Sequence, residues 1–156
     1  MTTFDFKDGN GPVPAHQHFN GGGWVADTAM VADTAYVGPD AWVFGKAQVF
    51  DNAKVSGDAQ VYGNAWVYDN AWVSDYAQVF GNVQVYDNAW VSDNALIYGN
   101  ALIYTYARVF GNVEVYGNAL IYGDAQVSGN ARVFENAQVY GNAEVSDNAL
   151  ISGEVK

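Results

Sequence analysis

Cysteine is absent from the 156-residue sequence, and basic residues are scarce. Without cysteine the chain cannot form disulfide bonds, use a thiolate nucleophile or bind zinc through thiolates. Only six lysine and arginine residues are scattered among 17 aspartates and glutamates, and the formal net charge is -11. Because no basic patch is available, we expect neither nucleic acid nor an anionic membrane surface as a partner.

Histidine is almost absent as well, since His16 and His18 are the only two. Alternation along a strand would place both on one face, as metal ligands sometimes are. The stretch "PAHQHF" holds no carboxylate or other third ligand, which favours packing within a cap. We therefore expect no metal and no cofactor.

Long apolar runs are also missing. The opening "MTTFDFKDGN" lacks the apolar core of a signal peptide, and no stretch approaches the length of a membrane helix. These absences leave a cytoplasmic and a virion-associated location equally compatible with the sequence.

A six-residue repeat dominates the rest of the chain. From Val25 to Ile151 an aliphatic residue occupies every sixth position through 22 units, and alanine follows four residues later except at Val83, Val113 and Val155. A helix would need a period of 3.6 residues. In a strand the alanine and valine share one face, and the Gly/Asp-Asn pairs between them tolerate turns. Each unit is therefore predicted to form a short strand and a corner with Val, Ile and Ala inside.

Three units make the longer period. From Phe44 to Ser146 the residue after each Val or Ile is aromatic, aromatic and then serine, as in Tyr62, Tyr68 and Ser74, and only Phe110 breaks this order. An 18-residue period predicts an all-β, single-domain triangular solenoid of about seven coils. We assign residues 1–23 to an N-terminal cap segment and residues 24–156 to the solenoid, with "FNGGGWV" as the joint.

The repeated phrase resembles the hexapeptide repeat of left-handed parallel β-helix proteins: aliphatic, Gly or Asp, Asn and a small residue. The resemblance covers residues 24–156 and implies a left-handed coil. The best-known members are acyltransferases with a histidine base beside a loop, and carbonic anhydrases of the class need three histidines per metal. This chain has no histidine after residue 18 and no loop insertion. The opening "DGNGPVPAHQHFNGGGWVADTA" instead resembles uncharacterised bacterial and phage members, so we expect no enzyme.

Outward aromatic side chains are the strongest hint of function, because large apolar arrays usually mark contacts. Stacking for stability, self-association of solenoids and stacking of sugar rings all remain open. Thr105, Tyr106 and Phe110 interrupt the pattern within one coil and suggest a small contact site. The residues expected to bind a protein or a glycan are Trp66, Tyr68, Tyr86, Tyr104, Tyr106, Phe110 and Tyr122.

The corners carry polar columns. Asparagines eighteen residues apart, such as Asn82 and Asn100, are predicted to form amide ladders. Carboxylates would repel one another unless they splay into water or a cation bridges them. An acidic surface also permits an inhibitor that mimics DNA. One such predicted acidic column consists of Asp33, Asp51, Asp69 and Asp87.

The C-terminal repeats end in "ALISGEVK" without a helix or a polar cap. Solenoids generally need capped ends, and an open strand edge is a template for pairing. We expect an apolar edge at Val139, Val145 and Ile151, and a homo-oligomer formed end to end there or side by side through the aromatic sides. The expected function is a non-catalytic structural or interaction protein.

Overall fold

The computed structural model describes residues 2–156, so residue 1 of the predicted cap segment lies outside the described residues. Short strands and turns make up this part of the chain. Between residues 2 and 156 no helix is long and apolar enough to span a membrane. From the second unit of the solenoid onward, each unit gives a two-residue strand, formed by one outward residue and one inward-facing Val or Ile.

The strands form three sheets. The first has the spatial order β1 (Thr3–Asp5), β2 (Pro12–Gln17), β3 (Trp24–Ala26), β6 (Trp42–Val43), β9 (Gln60–Val61), β12 (Gln78–Val79), β15 (Leu96–Ile97), β18 (Glu114–Val115), β21 (Arg132–Val133) and β24 (Leu150–Ile151). The second comprises β4 (Met30–Val31), β7 (Gln48–Val49), β10 (Trp66–Val67), β13 (Gln84–Val85), β16 (Leu102–Ile103), β19 (Leu120–Ile121), β22 (Gln138–Val139) and β25 (Glu154–Val155). The third comprises β5 (Tyr36–Val37), β8 (Lys54–Val55), β11 (Trp72–Val73), β14 (Trp90–Val91), β17 (Arg108–Val109), β20 (Gln126–Val127) and β23 (Glu144–Val145).

Each solenoid strand pairs in parallel with the strand three places further along the chain. Val67 lies opposite Val85, for example, and Val73 lies opposite Val91. Three strands therefore complete one coil of 18 residues. The prediction of a single-domain, three-sided solenoid with about seven coils is confirmed.

The interior follows the predicted alternation. The repeat valines, isoleucines and alanines from Ala35 to Ala137 are almost all completely buried and form one continuous core. Each buried valine contributes about 1.5–3 kcal/mol. From residue 45 to residue 147 the first turn residue of each corner has a left-handed backbone, as at Gly45 (φ 65°) and Asp51 (φ 56°). Glycine and aspartate occupy most of these positions because both accept this conformation, at lower cost for glycine.

The N-terminal segment covers part of the first coil. β1 and β2 form an antiparallel pair, and β2 runs antiparallel to β3, with His16 opposite Val25. The chain then crosses to the third sheet, where the buried ring of His18 bonds the Ala35 carbonyl through Nε2 at 2.8 Å. The two histidines thus take separate roles, since His16 Nδ1 lies 2.8 Å from Asp27 Oδ1.

The C-terminal coil corrects one expectation. Val139 was expected at an exposed apolar edge, but it is completely buried because Val155 in β25 lies directly opposite. The turn at Ser152 and Gly153 omits two residues of the usual unit, so Val155 occupies a valine position rather than an alanine position. Val145, also expected at this edge, is buried as well, and only Ile151 of the three is half-buried.

Candidate interaction surface

We call the outer faces of the first, second and third sheets the first, second and third sides. Aromatic rings on the first two sides stack into columns parallel to the solenoid axis. In the second-side column, neighbouring ring centroids lie 4.8–5.2 Å apart and the ring planes are within 7° of parallel. Each ring therefore covers the face of the next, which leaves mainly edges and hydroxyl groups toward solvent. The column contains Phe50, Tyr68, Tyr86, Tyr104, Tyr122 and Tyr140.

Glutamine side chains satisfy several of these hydroxyl groups. Tyr68 donates to Gln84 Oε1 at 3.0 Å, and Tyr62 on the first side donates to Gln78 in the same way. Burial within the column, and secondarily the neighbouring Tyr68 and Tyr104, raise the pKa of Tyr86 to about 12. The second-side column thus holds Tyr86 neutral well above physiological pH.

At two corners of the third side, a serine accepts a hydrogen bond from a tryptophan in the strand of the next coil. The Trp72 indole Nε1–H donates to Ser56 Oγ at 2.7 Å, and Trp90 donates to Ser74 Oγ at 3.2 Å. The partners are sixteen residues apart, as are tyrosine and glutamine on the other sides. This hydrogen bond was missed from the sequence, although the recurring Ser-Trp spacing could have indicated it.

The two indoles form the centre of a four-layer column. Their rings are 4.9 Å apart and inclined by only 1°. Lys54 Nζ lies 5.4 Å from the Trp72 ring centre, and the Arg108 guanidinium lies 5.7 Å from the Trp90 ring centre. Cations at these distances are attracted by the ring faces, so a basic residue covers each end of the indole pair.

The most exposed tyrosines border this column. Tyr76 and Tyr106 are 63% and 58% exposed, and they lie in turns at opposite corners of the third side. Trp72 and Trp90 are 36% and 37% exposed between them. We call these four residues the tryptophan face.

The structure does not gather the predicted binding residues into one site. Trp66 is exposed on β10, where its ring meets Tyr68 edge-on. Tyr86, Tyr104 and Tyr122 are half-buried with Tyr68 in the second-side column. Tyr106 belongs to the tryptophan face. Phe110 is half-buried beyond β17, at the opposite end of that strand from Tyr106.

Carboxylates of the acidic column accept hydrogen bonds from backbone N–H groups of the next coil. Oδ2 of Asp69 accepts the backbone N–H of Asp87 at 3.3 Å, and Oδ2 of Asp87 accepts that of Thr105 at 3.0 Å. Asp75 and Asp93 at the next corner accept N–H groups in the same way. Within residues 2–156, no group of three or more histidines and acids is arranged to hold a metal ion.

The predicted asparagine ladders occur in part. Asn82 donates to Asn100 Oδ1 at 3.3 Å, and Asn118 donates to Asn136 Oδ1 at 3.2 Å. These hydrogen bonds between side-chain amides link neighbouring coils and stabilise the stack.

One family comparison agrees with this architecture. A family described as YdcK Beta solenoid repeat matches residues 59–75, 77–93, 125–141 and 137–153. The chain is a β-solenoid repeat protein. These segments cover less than half of the chain, and each is close to one coil in length, so the similarity concerns the repeat unit. No curated protein matches the sequence.

Proposed function

We propose that the chain is a non-catalytic interaction protein that self-associates side by side through the tryptophan face. The observation that carries the proposal is the exposure of Trp72, Trp90, Tyr76 and Tyr106 on one side of a rigid solenoid. Tryptophan, tyrosine and arginine are the residues most enriched at energetic centres of protein interfaces. The face contains the first two and lies beside Arg108.

Ring orientation favours a protein partner over a glycan. Sugar rings bind to the free face of an aromatic ring, whereas the indole faces are covered by each other and by Lys54 and Arg108. An acidic decoy for a DNA-binding protein has less support, because carboxylates such as Asp69 and Asp87 bond the chain's own N–H groups. We also propose that the chain is related to the hexapeptide-repeat proteins of bacteria and phages and that its coil is left-handed, as that resemblance implies.

The test is the mass in solution, measured by light scattering after size exclusion at micromolar concentration. The intact chain is expected to exceed the monomer mass of 16.8 kDa. Tyr76→Asn and Tyr106→Asn together restore the usual corner residue and leave both indoles in place. We expect this double variant to dissociate with a Kd at least about tenfold higher.

Lys46→Asn is the matched control, because Lys46 is an exposed corner residue on another edge of the solenoid. It should leave the mass unchanged. A monomeric intact chain, or equal dissociation of both variants, would contradict the proposal.

A further inference from the structure

The N-terminal edge of the second sheet is bare, whereas the equivalent edges of the other two sheets are covered by the chain itself. β2 pairs with β3 on the first side. On the third side, Val37 N–H donates to the Asn20 carbonyl, and the Val37 carbonyl accepts the Gly23 N–H. β4 is the outermost strand of its sheet and pairs only with β7.

The free hydrogen-bonding groups of β4 follow from strand alternation. Met30 N–H donates to the carbonyl of Ala47, just before β7, at 3.0 Å, and Ala32 N–H donates to the carbonyl of Val49 in β7 at 2.8 Å. The N–H and C=O of Val31 and the C=O of Ala29 must then point the other way, off the sheet. Among residues 2–156, no backbone hydrogen bond reaches these three groups. They offer one donor and two acceptors, the set that another strand would complete.

An open space lies beside this edge. An open cavity of about 470 Å³ is bordered by His16, Met30, Val31 and Phe50. Met30 is 67% exposed, although it occupies an outward strand position like the half-buried Gln48 of the next coil. The added strands β1 and β2 rise on one side of β4, and residues 18–23 rise on the other. These flanking segments leave β4 in a recess, which favours a single extended chain over the end of a second solenoid.

Charge indicates the kind of chain. The exposed carboxylates of Asp27, whose Oδ1 also contacts His16, and of Asp33 lie just before and just after β4, and the whole chain carries a formal charge of -11. A strand with basic residues at both ends would meet one carboxylate at each end. Its inward residues must be small or aliphatic, because they would lie over Ala29 and Val31.

We propose that the free edge of β4 binds an extended cationic peptide segment of another protein as an added parallel strand of the second sheet. The backbone hydrogen bonds supply affinity, and the alternate inward side chains and the basic ends supply selectivity. This surface is separate from the tryptophan face, so either proposal can fail without the other.

The probe is a fluorescein-labelled peptide, KAQVFK with a blocked C-terminus, whose first five residues copy residues 46–50, the β7 segment of the same sheet. Fluorescence anisotropy with the full chain should show saturable binding that weakens with salt. In a parallel strand, the N–H groups of the peptide's glutamine and phenylalanine face β4, while those of its alanine and valine face away. N-methylation of the first pair should weaken binding at least about tenfold. N-methylation of the second pair should have little effect.

A protein variant locates the site. Val31→Pro removes an N–H that bonds nothing within residues 2–156 and places the proline ring where the peptide would lie. We expect at least about tenfold weaker binding from a variant whose circular dichroism is unchanged. Asp33→Asn should weaken binding of KAQVFK, whereas Asp147→Asn, on another corner near the far end, should not.

Three results would overturn the proposal: no binding at about millimolar peptide, equal affinity for the two N-methylated peptides, or full affinity in Val31→Pro. Equal binding of the acidic peptide EAQVFE would overturn the cationic preference. If Val31→Pro unfolds the chain, the N-methylated pair decides the outcome on the intact protein.

Discussion

At the scale of single residues, all three sides carry a side-chain hydrogen bond donated by an aromatic residue. The donor is a tyrosine at the corner on the first two sides and a tryptophan in the strand on the third side. Tyr68 at a corner reaches Gln84 in the next coil, whereas Trp72 in a strand reaches back to Ser56 at a corner. Both links join residues sixteen positions apart and leave one aromatic ring free to stack. Ser56 and Ser74 are therefore explained by the indoles whose N–H groups they accept.

Two neighbouring tyrosines in one column should respond differently to loss of their hydroxyl group. Tyr68→Phe removes the hydrogen bond to Gln84, and we expect it to cost about 1 kcal/mol of unfolding free energy. Tyr86→Phe should cost much less, because Leu102 occupies the position that glutamine holds in the other pair. Urea denaturation of both variants at pH 7 checks this, and equal losses would show that the glutamine bond does not stabilise the fold.

Alkaline pH should destabilise the fold because it deprotonates tyrosines of the same column. Burial raises the pKa of Tyr86 from its ordinary value of 10.0 to about 12, and the pKa values of Tyr68 and Tyr104 are raised too. Between pH 10 and about 12 the unfolded chain loses the Tyr86 proton and the folded chain retains it, and the pKa values of Tyr68 and Tyr104 are shifted in the same direction. The stabilisation from the neutral tyrosines is thus complete below pH 10 and falls as the pH rises toward 12.

Thermal midpoints measured from pH 9 to 12 test this titration. Tyr86→Phe should lose less stability over that range than the intact chain does. A midpoint that is constant up to pH 12 would contradict the assigned shift.

At the scale of the strand, two residues cannot form a stable element alone, so each strand depends on its neighbours in the coils on either side. The side that faces inward is fixed by the alternation, since a shift of one residue would turn every side chain around. Val91 is completely buried, and the adjacent Ser92 is half-buried at the corner.

The pair Val91→Asp and Ser92→Asp tests the inward face. An unpaired carboxylate at position 91 should lower the free energy of unfolding by several kcal/mol, so that the variant no longer shows a cooperative melt above room temperature. At Ser92 the carboxylate can reach water, and we expect a loss below about 1 kcal/mol. Thermal melts followed by circular dichroism distinguish the two, and similar midpoints would be incompatible with the buried position of Val91.

Periodicity explains which features were predictable. The inward face and the three-sided coil follow from strict six- and eighteen-residue spacing, which leaves little freedom to a parallel stack. The register of β25 was not predictable, because the turn at Ser152 and Gly153 departs from the repeat. The sequence also did not indicate which aromatic rings are exposed and which are covered, because Tyr86 and Tyr106 both occupy outward positions of the repeat.

At the scale of the whole molecule, each coil contacts only the coils before and after it. Stability is therefore nearly a sum of coil and interface terms. The three sides are not interchangeable, however, because a tyrosine column, a glutamine row and an indole pair must each meet their own kind in the next coil.

Deletion variants should reveal this difference. Removing residues 67–84 deletes one full period and joins Trp66 to Val85, so every side still meets the same side. Removing residues 67–72 deletes one unit and places Ser74 beneath Phe50, which breaks the column. We expect the shorter deletion to lower the melting temperature more, although it removes fewer residues. A larger fall for the 18-residue deletion would show that coil number outweighs side matching.

The indole pair gives the molecule a built-in optical signal. Two tryptophan rings 4.9 Å apart and nearly parallel share their electronic excitation, so their near-ultraviolet dichroism differs from that of isolated indoles. Because one ring belongs to β11 and the other to β14, the shared signal exists only while those two coils remain in register. Separation of the third and fourth coils can therefore be followed without an added label, even while the rest of the solenoid stays intact.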